Sequence, residues 1–366
     1  MPRAKPELAA PERPAPPAPF VGQRHVVEYF ARIGPGGLNH AYLFHGPRGV
    51  GKTTFAKVLT LTLHCERPRS FPTGYCGQCA ACQRGIAGSS ADTIFVDIPF
   101  IHYADEMAGK PQRKTDTLGI ETSRLMIRLM ELHSYEGGPL VCIVPNFETA
   151  AGIRDEPYNA LLKQLEEPQA RKFLFLTAQN PELLLPTVRS RTTAIRFNPL
   201  SEHDIVRQLV THYGEDEKRA LALARRSEGS LGDALRERAE GAAALREQTR
   251  RWVLACLGDP RSVPPMPSLG KDDPRATLAE VLRQAKLTAR DLLVCALVNA
   301  DSALDLEAGE HYKKVCKTLG EAAAPATMRA LGALNDATRM ATSNIPPATI
   351  FGWLQVQLRS AGGPPA

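Results

Sequence analysis

The chain has 366 residues, of which 43% are hydrophobic and 23% charged, values typical of a globular protein with room for two or three domains. Its formal net charge of +6 permits contact with nucleic acid without requiring it. No apolar run approaches the roughly 18 residues of a membrane span. The first 19 residues are rich in proline and alanine and lack an apolar core, which predicts a disordered tail rather than a signal peptide and favours a cytoplasmic protein.

Up to about residue 199, short apolar runs of β character alternate with amphipathic helical stretches, the pattern of a parallel α/β sheet. The polar segment Pro99–Gly119 breaks this alternation and is expected to be a solvated loop. The predicted strands are Tyr42–Phe44, Ile94–Asp97, Leu140–Val144, Phe173–Thr177 and Ala194–Phe197. The predicted helices between them are Thr53–Leu63, Ile120–His133 and Tyr158–Glu167. We therefore expect one α/β domain over residues 20–199.

Beyond this domain the sequence predicts helices only. Ser201 and Asp204 have the spacing of a capping box, in which side-chain oxygens accept hydrogen bonds from the free amides of a helix start. Proline and charge over Arg261–Arg275 indicate a linker or long loop. We expect a small helical unit over residues 200–246 and a second helical domain over residues 247–366.

The first predicted strand runs directly into a full GxxxxGK[ST] phosphate-binding loop. Glycines let such a loop curl so that its amides point at phosphate oxygens, and the start of the next helix adds the positive end of its dipole. Lys52 can bridge the β- and γ-phosphates, and Thr53 can offer its hydroxyl to Mg²⁺. An accidental match of a glycine-rich turn is the weaker alternative. The predicted ATP-binding residues are Gly46, Gly49, Val50, Gly51, Lys52, Thr53 and Thr54.

Four of the eight cysteines lie in one short segment with the spacing C-x₁₀-C-x₂-C-x₂-C, formed by Cys65, Cys76, Cys79 and Cys82. Thiolates so spaced can converge tetrahedrally on Zn²⁺, and four protein ligands leave no position for a substrate water, so the predicted site is structural. Buried free thiols are the alternative, but three cysteines at i, i+3 and i+6 beside a turn favour zinc. The other four cysteines lie singly in apolar stretches and are expected to be core thiols: Cys142, Cys256, Cys295 and Cys316.

Together these features resemble the subunits of bacterial DNA polymerase III clamp loaders, from about Val21 to Leu235. In this family a four-cysteine zinc module follows the helix of the phosphate loop. A helix similar to Asn159–Pro168, which is NALLKQLEEP here, comes next, followed by a strand and a Ser-Arg-Cys motif. Ser190–Thr192 stands at the place of that motif with the sequence Ser-Arg-Thr. Val21–Gln23 matches the family's segment near the adenine base, and the carboxy-terminal third of the chain matches weakly.

The resemblance implies an α/β P-loop NTPase fold of the AAA+ type, with a parallel sheet, a helical lid and a carboxy-terminal all-α collar domain. It implies as partners the other clamp-loader subunits, gamma/tau and delta, in a hetero-pentameric ring that opens the sliding clamp and places it on primed DNA. Arg191 would be an arginine finger that reaches the nucleotide site of the neighbouring subunit. An arginine that only caps a strand or pairs with a carboxylate remains the alternative.

The chain departs from the hydrolysing members of the family at two places. Those members end the third strand with an Asp-Glu pair, which holds Mg²⁺ and activates the attacking water. Depending on where a short insertion is placed, Pro145-Asn146 or Glu148-Thr149 occupies that position here. The same members carry a lid arginine where Gly232 stands. The resemblance therefore favours the delta-prime branch of the family over the gamma/tau ATPase.

Three functions stay open at this point. The first is a ring subunit that hydrolyses ATP weakly or not at all and gives Arg191 to its neighbour. The second is an active ATPase in which Glu148 or Glu156 supplies the missing carboxylate. The third is a zinc-containing nucleic-acid-binding module, although the sequence lacks the alternation of aromatic and basic residues that single-strand binders use.

Overall fold

The computed structural model describes residues 20–111, 119–150, 162, 164–239, 241–259, 263–268, 273–299, 304–305, 308–341, 343 and 345–362. The chain divides into two compact units. The first unit runs to Gly214 and also takes in Gly229–Gly232, and the second comprises Glu215–Glu228 and the chain from Asp233 onwards. The predicted domain boundaries at residues 200 and 247 stay a prediction.

The first unit is built on a five-stranded parallel sheet with the strand order β2-β3-β4-β1-β5. The five predicted strands are confirmed, and their ends shift by at most two residues. The strands are β1 (Ala41–His45), β2 (Thr93–Phe95), β3 (Leu140–Val144), β4 (Lys172–Ala178) and β5 (Thr193–Arg196). Because all neighbouring strands are parallel, their carboxyl ends share one edge of the sheet, and the loops that follow them meet there.

Helices pack on both faces of this sheet. The helices predicted at Thr53 and at Ile120 are confirmed, whereas half of the helix predicted over Tyr158–Glu167 lies outside the described residues. The helices of the first unit are α1 (Arg24–Ile33), α2 (Lys52–His64), α3 (Ala80–Ile86), α4 (Ile98–Met107), α5 (Ile120–Glu131), α6 (Phe147–Ala150), α7 (Pro186–Arg189) and α8 (Glu202–Tyr213).

The prediction of a loop over Pro99–Gly119 is wrong for its first part, which forms most of α4. The Asp97 carboxylate accepts a hydrogen bond from the Phe100 amide at 3.1 Å and so caps the helix start. Pro99 lies in the first turn, where an amide would have no intrahelical partner. Ile101 on this helix is buried, so α4 is held by packing as well as by its cap.

The sheet separates two apolar cores, because successive side chains of a strand point to opposite faces. On one face, Leu43 of β1 packs in a core with Met126 of α5, and we call this the α5 face. On the other, Phe44 of β1 packs with Phe55 of α2 in an aromatic core, and we call this the α2 face. The rings of Phe44 and Phe55 are 5.5 Å apart and nearly perpendicular, a favourable edge-to-face geometry.

The remainder of the described chain is helical, and side-chain caps fix the starts of some of its helices. The Ser201 hydroxyl accepts a hydrogen bond from the Asp204 amide at 3.1 Å, so the predicted cap is confirmed. The Asp273 carboxylate accepts one from the Ala276 amide at 2.9 Å. A helix therefore begins at residue 274, and the predicted linker Arg261–Arg275 is two residues too long.

The second unit has its own core, in which Trp252, Leu292 and Phe351 come from three different helices. None of the helices in the described ranges is both long and apolar enough to span a bilayer. The helices that follow α8 are α9 (Glu217–Arg226), α10 (Leu231–Arg238), α11 (Ala242–Gly258), α12 (Pro274–Leu297), α13 (Gly309–Leu319), α14 (Ala323–Ala341) and α15 (Pro347–Gly362).

The second unit also buries a charged cluster around Glu237, whose side chain is only 1% exposed. Its carboxylate lies 2.8 Å from the guanidinium groups of both Arg226 and Arg283 and 3.6 Å from that of Arg246. Burial alone would raise the pKa of Glu237, but hydrogen bonds from Arg226 and Arg283 outweigh it and leave the pKa below its usual value. The ionised carboxylate therefore stabilises the second unit.

We expect Glu237→Gln to lower the free energy of unfolding at neutral pH by about 3–5 kcal/mol, because it leaves buried guanidinium groups without a counter-charge. Since the folded pKa of Glu237 lies below the ordinary value of 4.5, this stabilisation is fully present above about pH 4.5 and is lost as the pH falls through the folded value. Urea unfolding of both proteins across this range should give curves that converge in acid.

The matched control for this experiment is Glu228→Gln, which removes an ion pair with Arg290 between two half-exposed side chains. An exposed pair contributes about 0–1 kcal/mol, so this variant should unfold nearly as the wild type does. Equal losses in the two variants would contradict a special role for the buried cluster.

Candidate nucleotide site and metal centre

The loop between β1 and α2 has a backbone that glycine adopts easily and other residues rarely do. Gly46, Gly49 and Gly51 have φ angles of 137°, 72° and 98°, all in the range that disfavours a Cβ. Among the residues that the structure describes, none accepts a hydrogen bond from the amides of residues 49–53. These donors stand next to the amino-terminal end of α2, so the loop fits a bound phosphate.

Lys52 is the buried charged residue at the end of this loop, and its side chain is turned back onto the loop. Its ammonium group donates hydrogen bonds to the carbonyl oxygens of Gly46 at 2.7 Å and Pro47 at 2.6 Å. Burial lowers the pKa of Lys52 to about 8, and the charge of Glu148 partly opposes that shift. Lys52 is thus a buried cation held by two dipoles, and an anion in the loop would supply the counter-charge.

The segment Gly229–Gly232 of the first unit closes over the phosphate loop. The Gly232 amide donates a hydrogen bond to the Gly49 carbonyl at 3.0 Å. A Cβ built on Gly49 would stand 2.2 Å from the Ser230 hydroxyl, and one built on Gly232 would stand 2.9 Å from the Gly49 Cα. The two backbones therefore touch, and an arginine at position 232 would require this segment to move.

The segment before α1 flanks the loop on another side. The Gln23 amide group donates to the Asn198 carbonyl at 2.5 Å, and its oxygen accepts from the Asn198 amide at 3.0 Å. A Cβ on Gly51 would stand 3.3 Å from the Phe20 ring, which packs on Phe55. The segment that the resemblance linked to the adenine base thus lies beside the phosphate loop.

The end of β3 presents no acidic pair in the described chain. The Asn146 amide donates to the Thr177 hydroxyl at 3.0 Å, which ties the turn to β4. Glu148 follows on α6, and its Oε1 accepts a hydrogen bond from the Gln179 amide at 2.6 Å. Its Oε2 is buried and has no hydrogen-bond partner among the described residues. Glu156 lies outside those residues.

The predicted finger, Arg191, lies in the turn between α7 and β5. Its guanidinium is 2.8 Å from the Glu166 carboxylate and also donates to the Thr187 carbonyl at 3.1 Å. The side chain is 35% exposed. The sequence left two roles open for Arg191, an arginine finger or an ion pair within the chain. The ion pair is present in the structure, and it leaves part of the guanidinium accessible.

The four clustered cysteines come together, with their sulfur atoms all within 4.8 Å of one another. The sulfurs of Cys76 and Cys82 are 3.9 Å apart, close to the roughly 3.8 Å that tetrahedral Zn–S bonds of about 2.3 Å require. Hydrogen bonds from the Gln78 and Cys79 amides lower the pKa of Cys76 to about 6, whereas burial raises that of Cys82. The four-sulfur donor set and its size fit Zn²⁺.

The remaining cysteines lie apart from this cluster. Cys142 and Cys256 are fully buried, as predicted for core thiols, and Cys295 and Cys316 pack against the core of the second unit with partial exposure. Burial raises the pKa of the Cys256 thiol to about 11, which makes it a poor thiolate.

Comparison with known proteins assigns the first unit to a family. The family described as "DNA polymerase III, delta subunit" matches residues 22–201. The delta-prime subunit of Escherichia coli is 32% identical over 197 residues, which are 54% of this chain and 54% of that protein. The delta-prime subunit of Pseudomonas aeruginosa is 35% identical over 152 residues, 42% of this chain and 41% of that protein. The tau subunit of Escherichia coli is 33% identical over 235 residues, 62% of this chain and 33% of that protein.

Through this region the chain belongs to the delta-prime/gamma/tau family of DNA polymerase III clamp-loader subunits. The chain spans about a third to a half of the length of these relatives. A gamma subunit-related protein of DNA polymerase III from Thermotoga maritima has a TM-score of 0.42 at 15% identity, covering 92% of this chain and 99% of that one. With a TM-score below 0.5, the assignment is carried by the sequence matches.

The sequence predicted the phosphate loop, the four cysteines and Arg191 as candidate site residues, but it did not predict the contacts made to them. The approach of Gly232 to Gly49 and the pairing of Glu166 with Arg191 join residues far apart in the chain. The missing lid arginine marked position 232 as unusual, but no local signal indicated its partner.

We expect one zinc ion per chain by metal analysis. Cys79→Ser should lower the zinc content and the melting temperature, because structural zinc stabilises small domains by an apparent 10–16 kcal/mol or so. Cys295→Ser, a partly buried thiol outside the cluster, is the matched control and should keep its zinc. A metal-free wild type that melts as the zinc-loaded protein does would contradict the assignment.

Proposed function

We propose that this chain is a delta-prime-type subunit of the DNA polymerase III clamp loader, which hydrolyses ATP weakly or not at all and gives Arg191 to a neighbouring subunit's nucleotide site. The observation that carries this proposal is the backbone contact between Gly232 and Gly49, which occupies the place of a lid arginine. The partners would be the gamma/tau and delta subunits in a five-subunit ring, the sliding clamp and primed DNA, and the site of action the cytoplasm.

The chemistry at the end of β3 supports weak hydrolysis. Hydrolysis of ATP needs a carboxylate that helps to hold Mg²⁺ and a second group that orients the attacking water. Pro145 offers neither, and the amide side chain of Asn146 cannot accept a proton at neutral pH. The chain thus keeps a loop suited to phosphate, but positions 145 and 146 supply no group that would activate water beside it.

The cofactors we propose are ATP with Mg²⁺ and structural Zn²⁺. The loop amides and Lys52 would hold the phosphates, Thr53 would face the metal ion, and the four clustered cysteines would bind zinc. The ATP bound to this subunit would then be a structural or state-sensing ligand. Hydrolysis would take place in neighbouring subunits, at nucleotide sites that an arginine finger completes.

The proposal for Arg191 rests on its place in the chain and on its accessibility. It follows the family's helix and strand at the position of the Ser-Arg-Cys motif. Its side chain is held by Glu166 and by the Thr187 carbonyl, which leaves further N–H groups of the five-donor guanidinium available. A guanidinium presented in this way can stabilise charge on a phosphoryl group that a neighbouring subunit holds.

A second candidate function, an active ATPase of the gamma/tau type, is favoured by one observation. The buried Oε2 of Glu148 lacks a hydrogen-bond partner in the described chain, and the charge of this residue acts on Lys52. A carboxylate so placed could hold a metal ion or a water beside the phosphate loop.

Nucleotide binding is testable through the pKa of Lys52. Since burial holds this pKa near 8, a bound phosphate should raise it, and ATP binding above about pH 8 should take up a proton. The affinity should therefore fall as the pH rises from about 8 towards 10. Calorimetry in buffers with different heats of ionisation measures the proton uptake.

The control for this measurement is Lys52→Arg, which stays charged and should bind ATP without that uptake. The same uptake in both proteins would assign the proton to another group. A wild type that binds no ATP at any pH would show that the phosphate loop is not used.

Catalysis in trans is the central test. The isolated chain should hydrolyse ATP very slowly. In the reconstituted loader, Arg191→Ala should leave assembly intact and abolish hydrolysis at one interface, because a finger contributes about 10³–10⁵ in rate at its own site. The loss over the whole ring will be smaller if the other sites keep their fingers. Lys52→Ala should lower ring turnover much less.

Two outcomes would contradict the proposal. If Lys52 proved essential for ring turnover and Arg191 dispensable, this chain would be a motor subunit. Brisk hydrolysis by the isolated chain that Glu148→Gln abolishes would establish the second candidate function instead.

A further inference from the structure

The guanidinium of Arg191 is held on two sides within the first unit. One terminal nitrogen lies 2.8 Å from Oε1 of Glu166. The other donates to the Thr187 carbonyl at 3.1 Å and, at the longer distance of 3.4 Å, to the Ser190 hydroxyl. The arginine is thus fixed between a charged acceptor on another segment and an uncharged acceptor on its own turn.

Glu166 is a firm support because the chain at its position is anchored in the core. The preceding residue, Leu165, is 3% exposed and packs in the core of the α5 face. The Leu165 carbonyl is also bonded to the His40 ring at 3.1 Å, which ties this segment to the residue before β1. The carboxylate therefore projects from a backbone with little freedom to move.

The turn that carries Arg191 is anchored in the same core. Val188 of α7 is fully buried on the α5 face. The Val188 carbonyl accepts hydrogen bonds from the Arg191 amide at 3.2 Å and from the Thr192 hydroxyl at 3.0 Å. Both ends of the Glu166–Arg191 ion pair thus rest on one packed layer, and the pair closes the gap between them.

We infer that Glu166 is the positioning residue for the arginine finger, holding Arg191 in the orientation that the neighbouring subunit's phosphate requires. This inference rests on the proposed function of Arg191. An unpaired arginine has several freely rotating bonds, whose freedom must be lost when the finger binds a phosphoryl group. A side chain already held in place loses less of that freedom at the moment of reaction.

The geometry also explains why the pair can support the finger without disabling it. Glu166 contacts only one terminal nitrogen, and its own side chain is half-exposed. An exposed pair of this kind interacts weakly in water, so the carboxylate can orient the guanidinium without competing strongly with a polyphosphate. Glu166 therefore affects the rate at the completed site, while ATP affinity depends on the neighbour's own phosphate loop.

The test is the ATPase activity of the loader reconstituted with this chain carrying Glu166→Ala. We expect kcat at the affected interface to fall by about fivefold, the scale of a weak exposed pair, with KM for ATP unchanged. Glu166→Gln, which keeps an acceptor of the same length, should recover part of the rate. Gel filtration confirms that each variant assembles.

The matched control is Glu182→Ala, which removes the ion pair that Glu182 makes with Arg189 two residues before the finger. This variant should leave kcat unchanged, because Glu182 pairs with Arg189 and not with Arg191, which is held by Glu166. In an Arg191→Ala background, Glu166→Ala should have no further effect, since the group that it positions is gone.

The outcomes separate this inference from the proposed function. If Arg191→Ala does not lower turnover, the finger assignment fails and the role of Glu166 fails with it. If Arg191→Ala lowers turnover but Glu166→Ala does not, only the positioning role is overturned. A rise in turnover on Glu166→Ala, or an equal loss in the Glu182 control, would overturn it as well.

Discussion

The curled backbone between β1 and α2 is the constraint on which the first unit is organised. Three glycines with positive φ curl the chain, and the amides of residues 49–53 have no acceptor in the described protein. Lys52 is buried behind them, so donors and positive charge converge on the same place. Such a cradle is stable only if an anion or solvent meets these groups, because an unpaired donor away from water costs about 1–3 kcal/mol. Because the sheet is parallel, the carboxyl ends of β3, β4 and β5 lie along the same edge as this loop.

The same curl brings a second backbone segment against the phosphate loop at position 232. Because Gly49 has no side chain, a second backbone can approach it closely enough for the Gly232 amide to donate to its carbonyl. That approach in turn leaves no room for a side chain at Gly232. Under the proposed function, the absence of a lid arginine and the closure of Gly229–Gly232 over the loop would be one structural change, with the Gly232–Gly49 hydrogen bond in place of a charged contact to phosphate.

Local sequence patterns predicted what depends on local physics. The strand Leu140–Val144 is buried on both faces and is a continuous apolar run, so its bounds were predicted to the residue. Cysteine spacing predicted the four-sulfur cluster for the same reason, since turns bring i, i+3 and i+6 together. Helix α4 was missed because the polar character of Pro99–Gly119 indicated a loop, although a proline is favourable in a first turn that Asp97 caps. Long-range pairings, such as that of Glu166 with Arg191, have no periodic signal at all.

The two cores of the sheet keep the proposed finger mechanically separate from the chain's own phosphate loop. Phe55, on the helix that follows the loop, packs on the α2 face, whereas Leu165 and Val188, which support the finger, pack on the α5 face. Alternate residues of β1 contribute to both cores, so the strand is shared but the side-chain contacts are not. If Arg191 acts as a finger, the side chains that support it thus belong to a different core from the one beneath the phosphate loop.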